Sequence, residues 1–289
     1  MKGKLFLFSS IFLLFVFFTA PTYEEDIKQN ATRPVLPKEL VFAGEFIPDN
    51  SFIRERIERE FYDLLDVKHA YTAKLTSRYF PIIEQELALA GLPEDFKYVA
   101  IVESFLLQEA YSSASAVGQW QFIRTTAKRF FLGVNGSIDD RRDPYKSAKA
   151  AAEYLKFLVN HFNGDKFLAL AAYNAGEKNI KNFLKEQKSN DFWSIYPKNE
   201  TMRYVPRIIA AKVVFSQIEK HFELPASELY KPIDFKEIEL NLKKQMLLAD
   251  IAKTNNVSFY VFRRLNPAFV DKSLPKGKYK IRVPVDLTK

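Results

Sequence analysis

Apolar residues recur every three to four positions through most of the chain, the spacing that places side chains on one face of an α-helix. Between residues 50 and 222 the pattern is helical, with no convincing strand. It predicts helices over residues 51–65, 70–90, 92–104, 144–163, 166–175 and 200–222. The predicted fold class of this region is therefore mainly α.

Capping residues support the ends of several of these helices. Asp49-Asn50-Ser51 offers a side chain to cap the first helix, and Gly91 follows the second. Asp143 precedes Pro144 at the start of the fourth helix, and proline suits a first turn that needs no backbone donor. Gly164 follows the last turn of that helix. These signals make its boundaries the clearest in the chain.

The last 60 residues change character. Residues 238–242 and 279–285 alternate between apolar and polar side chains, as strands with one buried face do. Two short helical segments lie between them, at residues 247–256 and 258–267, the second capped by Ser258. The order strand, helix, helix, strand predicts a small α+β unit over residues 229–289, separate from a helical domain over residues 51–222.

Residues 1–20 have the layout of a secretory signal peptide: lysines near the start, an apolar stretch of about 14 residues and a small residue at the end. Phe18 fits poorly before a cleavage site, so a retained membrane anchor is the alternative. Residues 21–50 contain four prolines and predict an extended lead-in. We therefore expect a protein exported to the periplasm or cell envelope.

Composition narrows the classes of function. The 289 residues carry a net charge of +8, which favours anionic polymers or membrane surfaces as partners. Cysteine is absent, and the three histidines stand far apart, so thiolate chemistry is excluded and a metal site is not expected. No zinc-finger spacing, RNA-binding aromatic motif or block of basic residues indicates a nucleic-acid partner. We expect neither a metal nor a cofactor.

One carboxylate interrupts a helix face. Phe96, Val99 and Ala100 form the apolar stripe of the third helix, and its next position is Glu103. Burial disfavours a charged carboxylate and raises its pKa, which suits a general acid at neutral pH. A glutamate at a helix end that pairs with a lysine or arginine fits the same pattern. The pattern alone leaves both interpretations open.

The loop after Glu103 is the second candidate for chemistry. Residues 112–123 are small and polar, and they lead to Trp120 between two glutamines. Amides and an aromatic ring in a cleft bind sugar hydroxyls and acetamido groups, and Gly118 would let the backbone approach a ligand. The same residues suit a tight turn before a helix, so this loop does not decide the function by itself.

Five stretches stand in a fixed order and spacing, and they read VESFL, SAVGQWQFIRTTAKRFFL, DDRRDPYKSAKAAAEYL, ALAAYNAGEKNIKNF and ETMRYVPRIIAA. Together they resemble the lytic transglycosylases of the soluble type (family 1), and most of all the membrane-bound type D subgroup. They cover about residues 94–212, with weaker likeness from about residue 40. One position departs from the family pattern, since Arg124 stands where the family usually has proline.

The resemblance implies a lysozyme-like helical fold and cleavage of the β-1,4 bond between N-acetylmuramic acid and N-acetylglucosamine in peptidoglycan glycan strands. Glu103 matches the glutamate that acts in the family first as acid and then as base. Tyr173 would orient Glu103 or the acetamido group of the sugar. The residues that match those lining the family's sugar cleft are Ser104, Ser112, Gln121, Tyr173, Asn174 and Glu200.

The resemblance supplies a single catalytic carboxylate, whereas most glycosidases use two. It implies that the C6 hydroxyl of the muramic acid attacks its own anomeric carbon, which gives a 1,6-anhydro product. Asp139, Asp140 and Asp143 fit capping and loop roles better than that of a second carboxylate. The alternatives are a goose-type hydrolytic lysozyme and a non-catalytic peptidoglycan-binding scaffold.

The C-terminal unit resembles a LysM module, a small binder of cell-wall sugars. The matching parts are residues 248–267 and 274–284. The opening departs from the module's pattern, since LKKQMLLADIA stands where a Gly-Asp-Thr/Ser turn is usual. The unit is therefore either a glycan-binding module or a degenerate structural cap.

Overall fold

The computed structural model describes residues 34–285. The predicted signal peptide, residues 1–20, and the first part of the predicted lead-in lie outside the described residues. Among the residues described, no helix has the length and apolar character needed to cross a bilayer.

The region before residue 223 is helical, which confirms the mainly α fold class. The predicted helix over residues 200–222 is in fact two helices, broken at Ser216 and Gln217. The predicted helix over residues 92–104 begins as a 3-10 turn at Glu94–Lys97. The helices are α1 (Ser51–Leu64), α2 (Ala70–Ala90), α3 (Tyr98–Ser104), α4 (Arg124–Arg129), α5 (Pro144–His161), α6 (Lys166–Ala175), α7 (Glu177–Glu186), α8 (Asn199–Phe215) and α9 (Ile218–Phe222).

The capping predictions are confirmed at α1 and α5. The Asn50 side chain accepts hydrogen bonds from two backbone amides in the first turn of α1. The Asp143 side chain accepts from the amides of Tyr145 and Lys146, both at 3.0 Å. Each bond satisfies a donor that has no partner within its helix.

The lead-in is more ordered than its prolines suggest. Strands β1 (Val41–Phe42) and β2 (Glu45–Phe46) form a small antiparallel hairpin. The hairpin places the fully buried Phe42 ring against Phe96, with centroids 6.2 Å apart. The aromatic contact therefore anchors this segment on the helical core.

Helix α8 is the centre of the helical core. It packs against α1, α3 and α6, and the side chains of Val205, Ile208 and Ile209 on it are fully buried. Helices α5 and α6 pack on each other through small residues such as Ala151 and Ala171, which allow close approach of the two backbones. The core thus holds α3, α6 and α8 in fixed relation.

The C-terminal unit has the predicted order of elements, with two extra short strands. Strands β3 (Phe235–Leu242) and β6 (Gly277–Pro284) pair antiparallel, with Phe235 opposite Pro284 and Leu242 opposite Gly277. A second apolar cluster lies beneath them. The elements are β3 (Phe235–Leu242), β4 (Met246–Leu247), α10 (Leu248–Thr254), α11 (Phe259–Leu265), β5 (Ser273–Leu274) and β6 (Gly277–Pro284).

Buried polar contacts join this unit to the helical region. The Arg282 guanidinium on β6 pairs with the Asp143 carboxylate at 2.7 Å and lies 4.4 Å from the centre of the Tyr145 ring. The Asp139 amide donates to the Ala268 carbonyl at 2.8 Å. Asp143 therefore both caps α5 and binds the C-terminal unit.

Gly118 approaches backbone and not a ligand, contrary to the expectation from its loop. Its φ is +82°, and a Cβ at this position would lie 1.9 Å from the Arg141 carbonyl oxygen. The Arg141 side chain is buried, pairs with Asp139 at 2.8 Å and donates to the carbonyls of Ser115 and Phe122 at 3.0 Å. Residues 115–122 therefore pack closely against Arg141 and are hydrogen-bonded to its side chain.

We predict that Gly118→Ala destabilises the protein far more than Gly44→Ala. Both glycines have a φ near +80°, but a Cβ at Gly44 meets no atom within 4 Å. The backbone strain costs about 1–2 kcal/mol at either site, and the collision at Gly118 adds about 1–3 kcal/mol. Chemical denaturation of both variants measures the difference. Equal losses would contradict the close approach.

Candidate active site

Glu103 lies one residue before the end of α3, where the chain turns sharply. Phe105 and Leu106 take left-handed backbone conformations, with φ of 53° and 63°. Such conformations are uncommon for residues other than glycine. The Leu106 amide donates to the Ala100 carbonyl, which closes the helix end. The turn leaves the Glu103 side chain in the wall of a cleft.

The cleft has a volume of about 790 Å³ and lies among α3, the loop over residues 112–123, and the facing ends of α6 and α8. This volume is within the range typical of ligand sites. Six of the seven site residues predicted from the sequence line it, although they span almost 100 positions of the chain. They are Glu103, Ser112, Gln121, Tyr173, Asn174 and Glu200.

The pKa of the Glu103 carboxyl lies near neutral pH. Burial raises its pKa to about 7, and the negative charge of Glu200 adds to the rise. The Tyr204 hydroxyl donates to Glu103 Oε1 at 2.5 Å, which stabilises the ionised form and lowers the pKa in part. Desolvation is the larger effect, so the side chain is protonated in a large fraction of molecules at pH 7.

Tyr204, and not Tyr173, makes the hydrogen bond to Glu103. The Tyr173 hydroxyl donates to the Trp120 carbonyl at 2.9 Å, so the expectation that it orients Glu103 directly is corrected. Tyr204 was missed from the sequence. It follows Glu200 by four positions on α8, and that spacing places both side chains on one helix face.

A chain of side-chain hydrogen bonds closes one end of the cleft. Asn174, near the end of α6, donates to the Glu200 carboxylate at 3.0 Å. The Thr201 hydroxyl donates to the Asn174 amide oxygen at 2.7 Å. These hydrogen bonds join α6 to α8 and fix the orientation of the Asn174 and Glu200 side chains. The Glu200 carboxylate stays exposed to solvent and to a ligand.

Gln121 and Ser112 present polar atoms from the loop. Gln121 has a left-handed backbone, with φ of 46°, and its amide nitrogen donates to the Gly118 carbonyl at 2.8 Å. Ser112 Oγ accepts from the Ala116 amide at 3.1 Å, in a tight turn. Each side chain is therefore set by its own loop before any ligand binds.

Ser104 does not line the cleft, so the structure does not support the predicted contact between Ser104 and substrate. Its side chain is buried, and its hydroxyl donates to the Gln119 carbonyl at 2.8 Å. The Gln119 amide in turn donates to the Leu106 carbonyl at 2.8 Å. Ser104 thus joins the end of α3 to the loop that carries Gln121, and it positions the cleft from behind.

Two arginines of α8 stand in the cleft wall. The fully buried Glu60 carboxylate on α1 pairs with Arg203 at 2.6 Å and with Arg207 at 2.8 Å. Arg207 also pairs with Asp63 at 2.8 Å. A buried carboxylate is stable only when it is paired in this way, so the cluster fixes α8 against α1 and directs both guanidinium groups.

The three aspartates before α5 lie outside the cleft. Asp139 binds Arg141, Asp140 accepts from the Gly133 amide at 3.0 Å, and Asp143 caps α5. These contacts agree with the capping and loop roles expected from the sequence. Arg124, where the family usually has proline, is exposed in the first turn of α4.

Comparison with known proteins agrees with this geometry. Residues 80–196 match the transglycosylase SLT domain, and residues 236–289 match the LysM-like domain of lytic transglycosylase MltD. The chain carries a transglycosylase SLT domain. It is homologous to membrane-bound lytic murein transglycosylase D of Escherichia coli (strain K12), with 28% identity over 247 residues, which cover 82% of this chain and 53% of that protein. The chain thus spans about half the length of this relative.

Other matches are shorter or more distant. Peptidoglycan transglycosylase gp16 of Escherichia phage T7 is 35% identical over 128 residues, which cover 43% of this chain and 10% of that protein. The 70 kDa soluble lytic transglycosylase of Escherichia coli aligns over 62% of this chain and 32% of its own, with 20% identity and a TM-score of 0.45. An inactive mutant of the transglycosylase Slt from Pseudomonas aeruginosa aligns over 53% and 26%, with 24% identity and a TM-score of 0.41.

We predict that Tyr204→Phe raises the Glu103 pKa above its present value of about 7. Phenylalanine keeps the ring but removes the hydroxyl that stabilises the ionised carboxyl. Titration of labelled glutamate carboxyl carbons by NMR measures the change. Tyr173→Phe is the control, because that hydroxyl binds the Trp120 carbonyl, and it should leave the Glu103 pKa near that of the parent. An unchanged or lower pKa in Tyr204→Phe would contradict the role of this bond.

We also predict that Glu103 makes the stability of the parent fall with rising pH. Its pKa rises from 4.5 to about 7 on folding, so the folded state holds the proton more tightly. The stabilisation is complete below pH 4.5 and is lost as pH rises through about 7. Glu103→Gln does not titrate there.

Between pH 4 and pH 8, the free energy of unfolding of Glu103→Gln should therefore increase by about 1–3 kcal/mol relative to that of the parent. This range allows for the partial exposure of the carboxyl. Denaturation of both proteins at the two pH values measures it. A gap that stays constant, or that changes in the opposite direction, would show that the folded-state pKa is not raised.

Proposed function

We propose that this protein is a peptidoglycan lytic transglycosylase that cleaves the β-1,4 bond between N-acetylmuramic acid and N-acetylglucosamine and forms a 1,6-anhydromuramoyl end. The SLT domain and the transglycosylase names of its relatives support the reaction class. The observation that carries the proposal is the half-buried Glu103 carboxyl, with its pKa near 7, in a cleft lined with polar groups.

In the first step, protonated Glu103 donates its proton to the glycosidic oxygen, and the bond from that oxygen to the anomeric carbon of the muramic acid breaks. A carboxyl with a pKa near the working pH is suited to this transfer. The N-acetylglucosamine leaves with the proton as a free 4-hydroxyl. Glu103 is then ionised, and the Tyr204 hydroxyl stabilises the charge.

In the second step, the C6 hydroxyl of the same muramic acid attacks its anomeric carbon and gives its proton to Glu103. This closes the 1,6-anhydro ring and restores the acid, so atoms and protons balance without water. Intramolecular attack has a high effective concentration, which offsets the absence of a protein nucleophile. Ser112, Gln121 and Asn174 would hold the sugar hydroxyls and acetamido groups, and Tyr173 would form part of the cleft wall beneath them.

A hydrolytic lysozyme is the second candidate, because the Glu200 carboxylate lines the same cleft and is exposed. Most hydrolytic glycosidases use a second carboxylate to activate water or to act as nucleophile. Glu200 is engaged by Asn174, which favours a binding role over that of a base. A scaffold without activity would not need the raised pKa of Glu103.

The proposal also covers the cellular location of the protein and its domain boundaries. A protein that acts on peptidoglycan works in the periplasm or cell envelope, and the signal sequence expected at residues 1–20 would take it there. We assign the transglycosylase domain to residues 51–222 and the LysM-like domain to residues 229–289. The polar contacts between Asp143 and Arg282 would keep the two in register.

We predict that protein lacking residues 1–20 releases 1,6-anhydro muropeptides from purified sacculi, and that Glu103→Gln lowers the rate at least about a hundredfold. Glutamine keeps the size of the side chain but cannot donate the proton. Glu219→Gln removes an exposed carboxylate outside the cleft and should leave the rate unchanged. Mass spectrometry identifies the products. Products heavier by one water would indicate hydrolysis, and no products from the parent would indicate a scaffold.

A further inference from the structure

A second cavity, of about 480 Å³, opens where the C-terminal unit meets the loop after α3. Three arginines line it: Arg142, ahead of α5, and Arg263 and Arg264 on α11. Among its lining residues in the described chain, Glu109 is the acidic one. The cavity therefore carries a concentrated positive charge.

Two of these three half-buried arginines have no side-chain partner in the described part of the chain. Within residues 34–285, neither Arg142 nor Arg264 forms an ion pair or a side-chain hydrogen bond, and Arg142 Nε is buried without a partner. The Arg263 guanidinium donates to the Phe269 carbonyl. Burial and the charge of Arg142 lower the pKa of Arg263.

Cations that repel each other across a concave surface are stabilised by a bound anion. Guanidinium groups match carboxylates in particular, because two parallel N–H donors meet two oxygens. By contrast, Arg203 and Arg207 in the first cleft already pair with Glu60. The unpaired guanidinium groups of Arg142 and Arg264 at the second cavity are thus available to a carboxylate.

The second cavity lies close to the first. Glu109 lines the second cavity, and Ser112, three residues further along the chain, lines the cleft that holds Glu103. Three residues span at most about 10 Å. A polymer that occupies the cleft and leaves it past Ser112 would carry its side groups to the arginines.

We propose that the cavity lined by Arg142, Arg263 and Arg264 binds the carboxylates of the peptide stems attached to peptidoglycan glycan strands. The inference rests on the proposed function for its substrate class. The boundary between the helical region and the C-terminal unit would then recognise the peptide part of the polymer, in addition to the sugar chain held in the cleft. Strands that carry stems would therefore bind more tightly than bare glycan strands.

The test measures binding, so it does not depend on turnover. All variants carry Glu103→Gln to prevent cleavage. The test variant is Arg142→Gln/Arg264→Gln. Its matched control is Arg59→Gln/Lys149→Gln, which removes two exposed positive charges outside both cavities. Three probes are used: strands with stems, the same strands after an amidase has removed the stems, and strands whose stem carboxylates are converted to methylamides. Arg264→Gln alone is the second variant, because Arg264 makes no side-chain hydrogen bond within the described residues.

We expect the arginine variant to bind strands with stems about tenfold more weakly than the control, because it loses hydrogen bonds to charged groups. It should bind the stripped and the amidated strands as the control does. Equal binding of all variants to strands with stems, an equal loss on stripped strands, or no preference of the control for strands with stems would each overturn the proposal. Failure of the proposed function would appear separately, as no cleavage of either kind of strand by protein with Glu103 intact.

Discussion

The hydrogen bond from the Tyr204 hydroxyl to the Glu103 carboxyl joins α3 to α8 in the wall of the cleft. It holds a half-buried carboxylic acid beside the apolar core, where the charged form is disfavoured, and within residues 34–285 it is the one side-chain hydrogen bond donated to that carboxyl. The same residue can therefore hold a proton at neutral pH and remain stable after losing it. The packing of α8 against α1, α3 and α6 keeps the two groups within reach.

A second buried group, Arg141, organises the loop opposite Glu103. Its guanidinium binds two loop carbonyls and Asp139, and its own carbonyl lies against Gly118, where no side chain fits. The Asp139 amide is in turn bonded to Ala268 of the C-terminal unit. The C-terminal unit is thus coupled to the cleft loop through short, buried contacts, in addition to any binding of its own.

Local features were readable from the sequence, and distant contacts were not. The cap at Asp143 and the apolar stripe that ends in Glu103 depend on residues within one or two helical turns, so periodicity and capping rules found them. Tyr204 meets Glu103 across 101 positions, and only its spacing from Glu200 offered a signal. The resemblance assigns Ser104 to the cleft, but its hydroxyl donates to the Gln119 carbonyl 15 positions away, which no local rule specifies.

The central claim is that one carboxylate, Glu103, cleaves the glycan without water, and the most direct measurement is a digest in water enriched in oxygen-18. Each disaccharide released by two cuts is analysed by mass spectrometry. We expect no heavy oxygen in the anhydro product, because the C6 hydroxyl of the sugar is the nucleophile. One heavy oxygen at the muramic acid end of each disaccharide would mean that water attacks, and it would contradict a role for the C6 hydroxyl as nucleophile.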